Sequence, residues 1–254
     1  MILFLLAQIV TPAPPAAPPT VGPPAPEQQR WENCVELAVG DPARGIAEAE
    51  RWRIAGGRFL AQQCLGMAYA SQRRWISAGG AFETAAREAE AARDVRASKY
   101  WAQAGNAWLA AADPAKARTA LDAALATGNL VGLELGEAHL DRARALVAAG
   151  NLGGARADLA QAVLKAPDDP MTWLLSATLA RRTGDLPLAQ RHIKEALARA
   201  DDDASVQLEA GNIAAMSRDE ASAKAAWERA AQLAPGTEQG IAARAALKQF
   251  APAE

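Results

Sequence analysis

A recurring spacing of small residues constrains this chain more than any other feature. Ala155, Leu159 and Ala162 stand at i, i+4 and i+7. The same triplet returns 34 residues later as Ala189, Ile193 and Ala196, and after another 34 as Ala223, Trp227 and Ala230. Turn residues follow each set at Pro167, Asp201 and Pro235. Upstream, Ala78, Phe82, Ala85 and Ala117, Leu121, Ala124 repeat the spacing at offsets of 39 and 38 residues, so these units hold short insertions. Such a spacing puts all three residues on one helical face. A small residue at a helix crossing lets two backbones approach, and a larger one fills the gap beside it. A hairpin built this way cannot cover its own apolar face, so copies must stack.

Composition agrees. Alanine makes up about a quarter of the chain and aromatics only 5%, which favours helix over sheet. Lys and Arg number 27 against 29 Asp and Glu, a net charge of −2, which excludes a strongly basic nucleic-acid binder. Two His and two Cys are too few for a metal cluster or zinc finger. There is no Gly-rich phosphate loop, GxSxG elbow or HExxH, so no catalytic, cofactor or metal residues are expected and the chain is read as a non-enzyme. His139 is expected to be a satisfied, at least half-buried histidine, and His192 to lie on a solvated helix face. The carboxylates of Asp168-Asp169 and Asp201-Asp202-Asp203 fall between units, where helix capping explains them better than calcium.

The N-terminus differs. Ile2 to Val10 form a short apolar run, and eight of the fifteen prolines lie between Pro12 and Pro26. The run is shorter than the roughly 20 residues a bilayer span needs, and it suits a secretory signal. No Lys or Arg precedes it, so a disordered cytoplasmic N-terminus stays open as the alternative. Residues 1–26 are read as a signal-like run plus a Pro/Ala-rich linker, able to give weak membrane association, and 27–250 as the helical repeat region.

The partner helix of each unit has its own residues: Leu65-Gly66 before Tyr69; Trp101, Ala104-Gly105 and Trp108; Trp173 and Ala177; Ala210-Gly211. Together with the Ala/large/Ala triplets and the closing prolines, this pattern resembles the tetratricopeptide repeat over residues 59–237, with a degenerate first unit carrying Trp31, Asp41-Pro42 and Trp52. The resemblance implies an all-α, right-handed α-solenoid of about six antiparallel helix pairs, closed by a capping helix over 238–250. It also implies a protein–protein interaction scaffold whose concave groove holds a peptide or protein, with no nucleic acid and no small-molecule substrate. Carrying the register over gives Gln63, Met67, Lys99, Asn106, Glu137, Arg144, Thr178, Arg181, Asn212 and Met216 as groove-side candidates. Arg144 and Arg181 suit a carboxylate, and Asn106 or Asn212 a peptide backbone. The chaperone-tail clamp of some relatives is not implied, because Met67 stands where its first Asn is wanted. Cys34 and Cys64 fall on side-by-side helices in such a stack. They are either a disulfide closing a loop worth roughly 3–4 kcal/mol or two buried thiols. With the signal-like run, the bridge favours the periplasm or cell envelope; a cytoplasmic regulatory or assembly subunit is the alternative.

Overall fold

The computed structural model describes residues 26–250, and the signal-like run lies outside them. Six helix pairs follow one another: α1 (Pro26–Gly40) with α2 (Pro42–Ile54), α3 (Arg58–Ser71) with α4 (Trp75–Ala91), α5 (Ala97–Ala110) with α6 (Pro114–Ala126), α7 (Gly132–Ala148) with α8 (Leu152–Lys165), α9 (Pro170–Arg182) with α10 (Leu186–Arg199), and α11 (Ala204–Met216) with α12 (Glu220–Leu233). A final helix, α13 (Glu238–Phe250), packs on α12 and α11. No strand occurs among the described residues. This is an all-α solenoid.

The small residues do what their spacing predicts. Ala155, Ala162, Ala189, Ala196, Ala223 and Ala230 are all fully buried, with Leu159, Ile193 and Trp227 buried between them. Across each crossing the facing helix is small too. A Cβ added at Gly66 would stand 2.6 Å from the Phe82 ring, and Gly105 and Gly211 are covered in the same way by Leu121 and Trp227. Ala143 and Ala177, also buried, take this place in the fourth and fifth pairs. The insertions are located as well: α4 and α7 run to 17 residues, and loops lie at 92–96 and 127–131.

Capping sets the helix starts. The side chains of Asp41, Asp113, Asn151, Asp185 and Asp219 accept from the backbone N–H three residues on, at the head of five of the six even-numbered helices through α12. The second pair has Arg74 there and no side-chain cap. Asp169 and Asp203 cap α9 and α11. In five of the six pairs the turn uses a left-handed residue. Gly150 (φ 75°) and Gly184 (φ 81°) supply it without steric cost, whereas Arg73 (φ 55°), Ala112 (φ 57°) and Arg218 (φ 61°) hold it under strain.

Odd-numbered helices pack on one another at α1–α3, α5–α7, α9–α11 and α11–α13, while no two even-numbered helices pack comparably. The odd helices therefore line the tighter, concave side, and the even helices form the outer side.

Candidate functional site

The concave wall is built from one face of α1, α3, α5, α7, α9 and α11, and its chemistry changes from junction to junction. Between α1 and α3, Cys34 and Cys64 are joined by a disulfide with Cα atoms 6.0 Å apart. Beside it Trp31 Nε1 donates to Gln63 Oε1 at 3.0 Å. Between α3 and α5, Gln63 Nε2 donates to Gln103 Oε1 at 3.3 Å. Between α5 and α7 there are two bridges: Lys99 Nζ to Glu134 at 2.5 Å, and Asn106 Nδ2 to Asp141 at 2.9 Å. Between α9 and α11, the Arg181 guanidinium donates to both oxygens of Glu209, at 2.6 and 3.1 Å. Among the described residues, no hydrogen bond or ion pair joins α7 to α9.

A recess of about 300 Å³ lies between α5 and α7, lined by Lys99, Gln103, Asn106, Glu134, Glu137 and Asp141 among others. Partial burial pushes the Glu137 carboxyl above the usual carboxylate range, and the charges of Asp141, Asp169 and Glu134 push the same way. A second recess, of about 180 Å³, opens between α7 and α9 and is almost wholly apolar.

The expected groove residues thus divide. Lys99, Asn106, Glu137, Arg144 and Met216 are exposed on the wall, and Met67 and Thr178 are half-buried there. Asn106 and Arg144 meet through Asp141, whose second oxygen accepts from Arg144 at 2.9 Å. Three others are committed to the fold. Gln63 is buried and spends its amide on Trp31 and Gln103. Arg181 is held by the buried Glu209. Asn212 donates to Glu209 and accepts from Trp227 Nε1 at 3.1 Å, so its amide is not open to a peptide backbone. Glu134, Asp141 and Glu209 were not legible as wall residues. Their only sequence signal is that Glu134 and Asp141 stand one repeat plus one residue beyond Lys99 and Asn106.

Both histidines are structural. His139 Nδ1 lies 2.8 Å from Asp158, which also receives two hydrogen bonds from Arg142, at 2.6 and 2.7 Å. Burial would push the Asp158 carboxyl up, but the Arg142 and His139 hydrogen bonds outweigh it and hold it below the usual range. The solvated placement expected for His192 needs correction. It is half-buried, bonded to Ser176 Oγ at 2.8 Å and edge-on to Trp173 at 5.2 Å. Its ring fills the space beside Trp173, and burial lowers its pKa, with Arg191 adding to the effect. No metal-holding cluster occurs among the described residues.

No protein-family model and no curated protein sequence matches the chain. Solved structures do. PilF of Pseudomonas aeruginosa superposes with a TM-score of 0.70 at 13% identity, covering 87% of this chain and 99% of that one. PilW, described as a widely conserved type IV pilus biogenesis factor, gives a TM-score of 0.70 at 18% identity, covering 85% and 96%. YrrB, described as a TPR protein with an unusual peptide-binding site, gives 0.56 at 16% identity, covering 77% and 96%. The chain has the tetratricopeptide-type fold.

Proposed function

We propose that this protein is a non-enzymatic scaffold that grips an extended polypeptide on its concave wall, in the cell envelope of a bacterium. One observation carries the reading. Side chains of both charges, with amides between them, line the α5–α7 recess at Lys99, Gln103, Asn106 and Glu137, and Arg144 stands exposed further along α7. A wall of this kind offers backbone-binding amides and paired charges without chemistry for bond breaking. The envelope location is supported by the signal-like run, the Pro/Ala spacer, the Cys34–Cys64 bridge and the fold shared with PilW, a type IV pilus biogenesis factor.

Two measurements test it. A photoreactive residue at Lys99 or Met67, on the wall, should capture a polypeptide in the native cell, and one at Arg118 or Lys194, on the outer helices, should not. Capture only from the outer positions contradicts the groove. Cell fractionation should find the protein in the periplasmic or membrane fraction; recovery with the cytoplasm contradicts the location. Arg181 is a poor site for charge reversal, because Glu209 would lose its partner and the fold would suffer.

A further inference from the structure

The junction between α7 and α9 stands apart from its neighbours. The other junctions from α1 to α11 carry a hydrogen bond, an ion pair or the disulfide from helix to helix. At α7–α9 the polar groups turn away. Arg144 bonds back along its own helix to Asp141, and the Thr178 hydroxyl donates to its own Leu174 carbonyl at 2.9 Å. What is left is a crevice of about 180 Å³, walled by Ala143 and Val147 on one side and Leu175 and Leu179 on the other, with Leu159 of α8 at its floor. Leu159, Leu179 and Ala143 are themselves packed in the core, so the crevice is a preformed dent rather than a loose surface patch.

The rim carries two guanidiniums, one of them already paired with Asp141. Arg144 and Arg182 stand at the mouth, and Arg182 has no ion-pair or hydrogen-bond partner among the described residues. We infer that this crevice is the specificity pocket of the wall, and that it seats one aliphatic side chain of an extended polypeptide carrying an acidic residue, or its terminal carboxylate, within about two positions. The volume suits a single branched aliphatic chain, and the guanidinium at the rim selects the charge beside it. This deepens the scaffold reading and rests on it. It assigns the anchor to α7–α9 rather than to the roomier polar recess at α5–α7.

The test uses the full chain and a positional-scanning library of N-acetylated octapeptides. Selected peptides should carry Leu, Ile, Val or Met at one position and Asp, Glu or the free carboxylate within two positions. Leu175→Trp, which fills the crevice, should lower their binding roughly tenfold or more, because the anchor dominates such sites. Arg182→Glu, an exposed rim change that leaves packing intact, should turn the acidic preference into a basic one while the helical circular dichroism and melting stay unchanged. The crevice assignment is overturned if selection shows no aliphatic position, or if the acidic preference survives Arg182→Glu. Peptides that bind wild type and Leu175→Trp equally, yet lose binding in Lys99→Glu, would reject the crevice and leave the wall standing. No peptide binding at all, or binding indifferent to every wall change, would reject both.

Discussion

The α5–α7 and α7–α9 junctions are built from the same repeat yet present opposite surfaces. At α5–α7, two side-chain bridges span the helices and the recess is polar. At α7–α9, nothing polar spans the gap and the recess is apolar. Packing constraints explain why both are allowed. The buried crossings, such as Ala155 and Ala189, tolerate only small residues. Wall positions such as Lys99, Asn106 and Arg144 stay exposed, so core packing does not dictate their identity. The repeat fixes where a wall residue stands, and leaves free what it carries. Differences between junctions are therefore where binding preference is written in a molecule of this kind.

The largest way to disturb the comparison is to remove a bridge whose partner is buried. Glu209→Ala leaves Arg181 half-buried without a counter-charge and should cost roughly 3 kcal/mol in urea unfolding. Lys99→Ala breaks an exposed bridge and should cost under about 1 kcal/mol. Equal losses would show that the bridges are alike. Reducing Cys34–Cys64, or replacing both with Ser, should cost about 3 kcal/mol at the N-terminal end, read as earlier loss of hydrogen-exchange protection in α1 and α2 than in α9 and α10.

Acid sharpens the contrast through α7 and α8. The Asp158 carboxyl sits below its unfolded value, so its contribution is complete above that value, near about 4, and is lost as pH falls through the lower folded one. Asp158→Asn should lower stability at neutral pH by about 1–3 kcal/mol and flatten the acid limb of the pH profile. An unchanged acid limb would contradict the network. His192 acts at higher pH. Its lowered pKa favours the neutral ring in the fold, so stability should decline modestly as pH falls below about 6.5, and His192→Gln should remove that slope. The smallest effect is a gain. Arg73→Gly and Arg218→Gly relieve left-handed strain and should each add about 0.5–1 kcal/mol, as seen in melting temperature.

The helical pairs, their crossings and the capping helix were legible in the sequence because each is set by local rules: small residues at 34-residue intervals, aspartates before the helices, prolines in first turns. The wall was legible in position and not in chemistry. Register alone offers Gln63, Arg181 and Asn212 to a partner, yet these residues are taken by Trp31, Glu209 and Trp227, contacts that join different helices and leave no short-range trace. His192 misled for a related reason. Its neighbours Arg191 and Lys194 are those of a solvated face, while the space beside Trp173 that it fills is set by the preceding helix. Arg182, at the rim of the α7–α9 crevice, stood in the sequence only as half of a basic pair.

Hydrogen exchange on the protein bound to its captured partner distinguishes the concave wall from the outer helices. Slowed exchange is expected along α5, α7 and α9, with α6, α8 and α10 unchanged. Protection confined to the even-numbered helices would place the partner on the outer side and contradict the groove.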